Sequence, residues 1–393
     1  MKEKFNDISN FVDSKKEEML EFWKDLVNHE SYVGDKIAVD RLADFLKKSF
    51  EKENFDCELI EVGEYNGKTL IGTLGHERIE KPIIFSGHMD TVFKNGTFGT
   101  APFKIENGKA YGPGCLDMKG GIVIALYVIK ALKSIGYDDR PIKIIISGDE
   151  ENGHFNSQGG EVILKEAKDG FCAFNMETGL VDNSLCVGRK GRTGYEIITH
   201  GIGAHAGNDF TSGINAIEEM AYKVQELQRL TNLENGTTVS VSTIHGGTIS
   251  NAIPSECKIE LDVRFKNVSE MEKIKEEIES VCNKTYLKNT ITECNVTSHM
   301  GPFETTPDVI SFYNFCNRIA QEYGFEKMES KTLGGSSDAS YINMAGTPVL
   351  CSFGVKGEWN HTDREYALVD SLFERTKLIA AIILNLAQFN IEG

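Results

Sequence analysis

The chain has 393 residues, of which 40% are hydrophobic and 26% charged, values typical of a globular protein with a substantial core. Its length predicts about two domains. The formal net charge of −17 speaks against a nucleic-acid partner, because such binding depends on clustered Lys and Arg. No stretch approaches the roughly 20 apolar residues that span a bilayer, so no membrane association is expected.

The N-terminus and the cysteines indicate a compartment. Residues 1–20 are charged throughout and have no apolar segment ahead of a small-residue cleavage site, so export by a signal peptide is not expected. The nine cysteines are scattered without a CxxC pair, which fits free thiols better than a disulfide framework. A cytoplasmic protein is therefore predicted.

Helical and strand patterns alternate in the first half of the chain. Residues 15–30 and 37–50 carry apolar side chains at helical spacing. Short β-rich runs follow at CELIEV, TLIGTLG and PIIFSGH, and then DMKGGIVIALYVIKALKSIG predicts a long apolar helix that ends at Gly136. The strands PIKIIISG and FCAFNM come next. This alternation predicts an α/β domain with a mostly parallel central sheet flanked by helices.

The pattern changes near Gly191. The strand TGYEIITHG, the helix INAIEEMAYKVQELQRL, two further strands, the helix SEMEKIKEEIESVCN and the strand TITECNVTSH follow one another. This β-α-β-β-α-β order resembles a ferredoxin-like α+β sandwich. The α/β pattern resumes with a helix near 306–323, the Gly-rich GGSSDA, the strand TPVLCSF and a last helix from Val369 to Phe389. We therefore predict a discontinuous domain at 1–190 and 304–393, with a domain inserted at 191–303.

Candidate metal ligands follow three of the predicted strands. His88 follows PIIFSG, Glu150 and Glu151 follow PIKIIISGD, and Glu177 follows FCAFNM, while Asp117 opens the long helix. The carboxyl ends of parallel strands form the crevice in which such folds bind ligands. Each residue alone is more often a hydrogen-bonded structural group or a helix cap. Together, carboxylates at one sheet edge would repel each other strongly unless divalent cations were bound, so the pattern predicts a metal site.

Sequence spacing indicates two supporting roles. His88 and Asp90 are two residues apart, so they share one face of an extended chain, and Asp90 can hold the far ring nitrogen of His88. The side chains of adjacent Glu150 and Glu151 should diverge. One of them can bind metal while the other faces a water molecule as general base.

Eight motifs occur in the same order as in a known family: SGHMDTV, APFKIENGKAYGPGCLDMKGG, SGDEENG, METG, GIGAHAG, ISNAIPSECKIELDVRF, GGSSDA and NHTDREY. Over nearly the whole chain they resemble the dizinc metallopeptidase family of glutamate carboxypeptidase, acetylornithine deacetylase, succinyl-diaminopimelate desuccinylase and peptidase T. The glutamate carboxypeptidase branch is the most similar. The resemblance implies a zinc-peptidase-like catalytic domain and an inserted lid or dimerisation domain.

The resemblance also implies a set of metal ligands. Asp117 would bridge two Zn²⁺ ions per chain, with Co²⁺ or Mn²⁺ as possible substitutes. One ion would add Glu151 and His361, and the other His88 and Glu177. The resemblance further implies that Glu150 is the general base and that Asp90 is the partner of His88. One departure is Pro113, which stands in GPG where many relatives have a basic residue, so the contacts of that loop are expected to differ.

The inserted domain carries the residues for which the resemblance implies substrate contacts. His205 would stabilise the oxyanion from the neighbouring subunit of a homodimer, and Asn251 and Arg264 would contact the substrate. Taken alone, His205 is equally well a turn histidine, and Arg264 is an ordinary surface charge. A guanidinium can, however, clamp a carboxylate, and the backbone N–H groups around Gly335 in GGSSDA are a second carboxylate-binding device at a predicted helix start.

These observations predict an exopeptidase that releases a C-terminal amino acid with a free carboxylate from a small peptide. An N-acyl-amino-acid deacylase, such as a deacetylase or desuccinylase, and a di- or tripeptidase remain open as alternatives, with an N-acyl amino acid as substrate in the first case. Two other classes are weighed as well. A non-catalytic metal- or ligand-binding homologue and a purely structural dimerisation module are disfavoured, because the full ligand set and the candidate base are present.

Overall fold

A computed structural model describes residues 1–389, which form two compact units. The first unit comprises Met1–Gly188, Thr305–Leu333 and residues 337–389, and the second comprises Arg189–Glu304 and Gly334–Ser336. The roles predicted for the two domains, and their predicted boundaries, stay predictions.

Ten α-helices are formed by the described residues: α1 (Lys2–Ser14), α2 (Lys16–Asn28), α3 (Lys36–Glu51), α4 (Gly120–Ser134), α5 (Gly159–Ala167), α6 (Ala216–Arg229), α7 (Val268–Asn283), α8 (Pro307–Glu322), α9 (Ala339–Met344) and α10 (Val369–Leu384). Side chains cap several of them, because the first N–H groups of a helix lack partners in the helix itself. Asp35 accepts from the Ala38 amide at the start of α3, and Thr306 accepts from the Val309 amide at the start of α8.

The strands within residues 1–389 are β1 (Asp56–Ile60), β2 (Gly67–Leu74), β3 (Ile83–His88), β4 (Lys104–Glu106), β5 (Lys109–Tyr111), β6 (Ile142–Gly148), β7 (Cys172–Asn175), β8 (Gly179–Leu180), β9 (Leu185–Arg189), β10 (Gly191–His200), β11 (Ala204–His205), β12 (Thr238–Gly246), β13 (Ala252–Ile253), β14 (Glu256–Phe265), β15 (Ile291–Met300), β16 (Ser330–Leu333), β17 (Val349–Leu350), β18 (Lys356–Glu358) and β19 (Tyr366–Leu368).

The central sheet of the first unit has six strands in the order β1-β2-β6-β3-β7-β17. β6, β3, β7 and β17 are parallel neighbours, while β2 pairs antiparallel with both β1 and β6. Every residue of β3 is buried, as expected for a parallel strand that is covered on both faces. The buried helices α4 and α10 pack against each other. The predicted α/β class with a mostly parallel sheet is confirmed.

The second unit is built around a four-stranded antiparallel sheet in the order β12-β14-β10-β15. Alternate residues of β14 are buried, which places one face of the sheet on a core shared with α6 and α7. Elements β10, α6, β12, β14, α7 and β15 follow one another in the predicted β-α-β-β-α-β order. This unit has the ferredoxin-like arrangement expected from the sequence.

Some element boundaries differ from those predicted. Helix α1 was not predicted, the last helix ends at Leu384 before a short 3₁₀ turn, and α4 begins at Gly120, after Asp117. No helix within residues 1–389 is long and apolar enough to cross a membrane. All nine cysteines, each of which lies in the described part of the chain, are free thiols.

Candidate metal centre

Five acidic and histidine side chains of the first unit lie in two overlapping groups. His88, Asp117 and Glu177 form one group, and Asp117, Glu151 and His361 form the other. In each group, one ligand atom from every member lies within 4.8 Å of the others. These are the five residues that were predicted to bind metal.

Asp117 belongs to both groups through its two carboxylate oxygens. Its Oδ1 lies 3.3 Å from Nε2 of His88, and its Oδ2 lies 3.3 Å from Nε2 of His361. Nε2 of His88 is also 3.7 Å from Oε1 of Glu177, and Nε2 of His361 is 3.2 Å from Oε2 of Glu151. Each oxygen of Asp117 therefore faces one of the two groups, as a bridging ligand requires.

The parallel strands explain why ligands that are distant in sequence meet. His88 ends β3, and the register pairs it with Ser147 of β6, shortly before Glu150 and Glu151. β7 pairs with the other side of β3 and ends at Asn175, two residues before Glu177. All three strands point the same way, so their carboxyl ends deliver these side chains to one edge of the sheet.

Asp117 reaches this edge through an irregular turn, not through a helix start as predicted. Cys115–Lys119 form a π-helical turn in which the backbone of Asp117 is non-helical, with φ −116° and ψ 93°. Oε1 of Glu365 accepts hydrogen bonds from the amides of Leu116, at 2.9 Å, and Asp117, at 3.3 Å. These bonds satisfy amides that the irregular turn leaves without helical partners.

Two neighbours of this turn were not singled out in the sequence as site residues. Glu365 is buried and lies in the NHTDREY motif, four residues after His361. Nδ2 of Asn360 donates to Oδ2 of Asp117 and to Oγ1 of Thr178, both at 3.1 Å. Their only sequence signal is their proximity to His361, because the partners lie far away in the chain.

Asp90 lies against the ring nitrogen of His88 that faces away from Asp117. Nδ1 of His88 lies 3.1 Å from the backbone oxygen of Asp90 and 3.5 Å from its carboxylate oxygen Oδ1. The Asp90 carboxylate accepts from the amides of Glu150, at 3.3 Å, and Glu151, at 2.9 Å. Asp90 therefore connects the His88 loop to the backbone of the turn that carries both glutamates.

The protonation of the two histidines reflects the negative charge around them. Hydrogen bonds to Asp117 and Glu151 raise the pKa of His361 to about 11. Burial alone would lower the pKa of His88, but Asp117, Asp90 and two glutamates raise it well above its ordinary value. Burial likewise raises the pKa of Glu150 and Glu151. A site that draws protons onto histidine this strongly also favours a divalent cation.

A second buried cluster supports the turn that carries Glu150 and Glu151. His154 lies between two carboxylates, with Nδ1 2.8 Å from Oδ1 of Asp149 and Nε2 2.6 Å from Oδ1 of Asp338. Oγ of Ser147 donates to Oδ2 of Asp338 at 2.6 Å, and Nδ2 of Asn66 donates to Oδ2 of Asp149 at 3.3 Å. This cluster ties the turn after β6 to the residue that precedes α9.

The remaining predicted site residues belong to the second unit. His205 is exposed, and its Nδ1 accepts from the amides of Gly207 and Asn208, both at 3.1 Å. His205 and Asn251 line one cavity of about 700 Å³. The Asn251 carbonyl accepts from the amide of Ala206 at 2.9 Å, so the two segments are held together.

Arg264 and Gly335 also lie in the second unit. The guanidinium donates from Nε and Nη2 to the carboxylate of Asp262, at 2.7 and 3.1 Å, and from Nη1 to the Gly334 carbonyl at 3.4 Å. The Gly335 carbonyl accepts from Nη1 of Arg189 at 3.3 Å. Helix α9 begins at Ala339, the last residue of GGSSDA, so Gly335 lies four residues before the helix.

The fold and this cluster define an α/β protein with candidate metal ligands at the carboxyl edge of its parallel sheet. The sequence profile of Peptidase family M20/M25/M40 matches residues 84–385, which is most of the chain, and the chain belongs to this family. The predicted family is thereby confirmed. The chain is a member of a peptidase family, so the predicted hydrolase class is confirmed at that level.

Individual relatives are similar over most of their length. Carboxypeptidase G2 of Pseudomonas sp. (strain RS-16) is 27% identical over 365 residues, which cover 92% of this chain and 87% of that protein. Succinyl-diaminopimelate desuccinylase of Ehrlichia chaffeensis (strain ATCC CRL-10679 / Arkansas) is 28% identical over 352 residues, 84% of this chain and 88% of that protein. The solved structure of aminopeptidase PepT from Bacillus cereus ATCC 10987 shares the fold, with a TM-score of 0.76, 24% identity and coverage of 95% and 99% of the two chains.

Proposed function

We propose that the protein is a dizinc exopeptidase that hydrolyses the last amide bond of a small peptide and releases an amino acid with a free carboxylate. The observation that carries this proposal is the pair of donor groups that share Asp117. Two metal ions bridged by one carboxylate can catalyse amide hydrolysis. Their positive charge would also balance the carboxylates that lie together at this edge of the sheet. The similarity to carboxypeptidase G2 favours the carboxypeptidase type.

The residues fit two zinc ions. His88 and Glu177 would hold one ion, Glu151 and His361 would hold the other, and Asp117 would bridge them. Imidazole and carboxylate donors suit zinc, and they also suit cobalt or manganese. When bound, the metals supply Lewis-acid activation of water and of the scissile carbonyl.

We assign the proton transfer to Glu150. It belongs to neither donor group, although its carboxylate interacts with the charges of His88 and Glu177. Its backbone amide is held by Asp90, which fixes the base beside its neighbour Glu151. A carboxylate in this position can take a proton from the attacking water and later give it to the leaving amine.

The second unit would supply the oxyanion contact and the carboxylate recognition. Because Nδ1 of His205 accepts two amide hydrogen bonds, the proton of the neutral ring lies on Nε2, which is then available as a donor. This suits stabilisation of a developing oxyanion. Arg264 keeps N–H donors on Nη1 and Nη2 beyond its bonds to Asp262 and Gly334, and these would bind the substrate carboxylate with Asn251 and the Gly335 segment.

Replacement of Glu150 by Gln tests the assignment of the base. The variant should retain about two metal ions per chain by elemental analysis, because Glu150 is no ligand, while kcat falls by roughly 10²–10⁴-fold. Glu151→Gln is the matched control, since it should lose metal as well as activity. A fully metal-loaded wild-type protein that hydrolyses no amide would instead favour a non-catalytic metal-binding homologue.

A substrate panel tests the reaction type. Dipeptides, tripeptides and N-acyl amino acids should be offered to the zinc-loaded protein, each with a free or an amidated C-terminus. The proposal expects that amidation abolishes hydrolysis and that peptides are preferred to N-acetyl and N-succinyl amino acids. Preference for the N-acyl compounds would support the alternative, a deacylase, which the similarity to the desuccinylase favours.

We further propose that the protein acts as a cytoplasmic homodimer in which His205 completes the partner's site. Edge strand β12 supports an association surface, because its far side pairs with no strand of the described sheet and its Ile244 side chain is exposed. Mixing the inactive variants Glu150→Gln and His205→Ala should restore activity, since a mixed dimer contains one intact site. No recovery after verified subunit exchange would refute the trans arrangement.

A further inference from the structure

A groove of about 640 Å³ lies in the first unit, and it combines aromatic rings with positive charges. Its lining includes Lys104, Lys109, Tyr111, Trp359, Arg364 and Tyr366, which we call the aromatic–cationic groove. None of these six residues belongs to either donor group of the metal centre.

The groove shares two structural elements with the metal centre. Trp359 lines the groove, and the turn from Trp359 to Thr362 places His361 against Asp117. Thr362 closes this turn, because its amide and its hydroxyl both donate to the Trp359 carbonyl, at 3.2 and 2.7 Å. Glu365 also lines the groove while its carboxylate holds the Asp117 amide. The groove and the candidate metal centre are therefore built on the same turn and the same glutamate.

Two cations of the groove, Lys109 and Arg364, lie over aromatic rings and not against carboxylates. Nζ of Lys109 lies 3.7 Å from the ring centroid of Tyr366, and the guanidinium of Arg364 lies 4.1 Å from that of Trp359. Neither cation has a carboxylate of residues 1–389 within ion-pair distance. A ring face orients a cation without neutralising it. In a chain of net charge −17, these two cations therefore remain available to pair with an anionic group.

The groove contains few opposing charges. The Glu365 carboxylate is buried in the groove wall and is directed to the amides of Leu116 and Asp117. Lys104 pairs with Glu106 at 3.4 Å. Asp363 is the exposed acid of the lining, and it is the group that would weaken the binding of an anion.

We propose that the aromatic–cationic groove binds the acyl side of the scissile amide and selects an acyl residue with a negatively charged side chain. This inference rests on the proposed function, which assigns the released residue and its carboxylate to contacts in the second unit. The rings of Trp359 and Tyr366 would pack against the aliphatic part of that side chain, and Lys109 and Arg364 would pair with its carboxylate. The substrate class is therefore a short peptide with an acidic residue before the bond that is cleaved.

Two matched dipeptides test this preference directly. One dipeptide has Glu on the acyl side of the amide bond and the other has Gln, two side chains that differ in charge but hardly in shape. Both dipeptides end in the amino acid that the substrate panel shows to be released fastest. Wild-type protein should have the higher kcat/KM for the Glu peptide, and this preference should fall with ionic strength. Lys109→Gln and Arg364→Gln should each lower the Glu/Gln ratio by roughly two- to fivefold. Asp363→Asn should raise it.

The control is Lys165→Gln, which removes the same charge from α5, where the Lys165 side chain is 82% exposed and lies outside the groove. It should leave the Glu/Gln ratio unchanged. Calorimetric binding of both dipeptides to the zinc-loaded Glu150→Gln variant gives the same ratio without turnover. A binding preference for Glu without hydrolysis by the wild type would refute the proposed function and keep the groove assignment. A ratio near one, or a ratio that Lys109→Gln and Arg364→Gln leave intact, would overturn the groove assignment.

Discussion

Removal of the His154 side chain should strongly destabilise the first unit. His154 is buried between Asp149 and Asp338, at 2.8 and 2.6 Å, and these two carboxylates raise its pKa well above its ordinary value despite burial, which lowers it. His154→Leu leaves both carboxylates buried without their shared cation. Breaking a buried ion pair by removal of one partner costs about 3–5 kcal/mol, and we expect a loss of this size in the free energy of unfolding.

The assay can be confined to the unit that contains the cluster. Both tryptophans of the chain, Trp23 and Trp359, lie in the first unit, so urea denaturation followed by tryptophan fluorescence reports on that unit. Measurements should be made at saturating zinc. His76→Leu is the matched control, because His76 is exposed and its replacement should change the free energy of unfolding by less than about 0.5 kcal/mol.

The pH dependence supplies an independent test of the same cluster. The folded pKa of His154 is raised, so its stabilising contribution is complete below the unfolded value of 6.5 and is lost as pH rises through the folded pKa. Between pH 6.5 and the folded pKa, the free energy of unfolding of the wild type should fall by about 1.4 kcal/mol per pH unit more than that of His154→Leu. Equal slopes for the two proteins, together with an unfolding free energy within about 1 kcal/mol of wild type, would refute the assignment of a charged His154.

Three other outcomes follow from the structure. Chelation should lower the melting temperature of the first unit, because Asp117 and its carboxylate neighbours then repel, and zinc should restore it; identical melting curves would contradict this. Lys223→Met should make the backbone amides of α6 and α7 exchange faster with solvent. The reason is that buried Lys223 pairs with Glu219 at 3.2 Å and donates to the carbonyls of Val281 and Cys282 at the end of α7. Unchanged amide protection in both helices would exclude a structural role for Lys223. Gly121→Ala should reduce zinc content, because a Cβ there would clash with the Met176 carbonyl; full zinc content would show that the neighbouring backbone adapts.

The sequence predicted the parts of the site that are local in the chain. His88, Glu151 and Glu177 each follow an apolar run, and an apolar run that ends in a polar ligand is visible without any knowledge of the fold. The fold then brings these residues to one edge, since β3, β6 and β7 are parallel neighbours. Three of the five members of the two donor groups, His88, Glu151 and Glu177, were therefore indicated by strand ends, whereas His361 was implied only by the family resemblance.

The remaining parts could not be predicted because they depend on contacts between distant segments. Asp117 was expected at a helix start, but the amides of its turn are held by Glu365, which lies 248 residues further along the chain. The bond between His154 and Asp338 joins residues 184 positions apart. No periodicity signals such pairs. Asp90 lies against the His88 ring as its spacing suggested, with 3.5 Å between Oδ1 and Nδ1, but its bonds to the amides of Glu150 and Glu151 were not predicted.

These long-range contacts link metal binding to the folding of the first unit. The Asp117 amide donates to Glu365, and Oδ2 of Asp117 lies against His361 and Asn360, three residues from the last part of the described chain. A loop of more than 240 residues closes when these contacts form. Loop closure lowers the conformational entropy of the chain, and the contacts that it permits must offset this cost. Metal ions that bind only the assembled ligands add their binding free energy to folding. The first unit should therefore gain cooperativity as well as stability from zinc, because a partial structure that lacks residues 360–365 holds only one of the two donor groups.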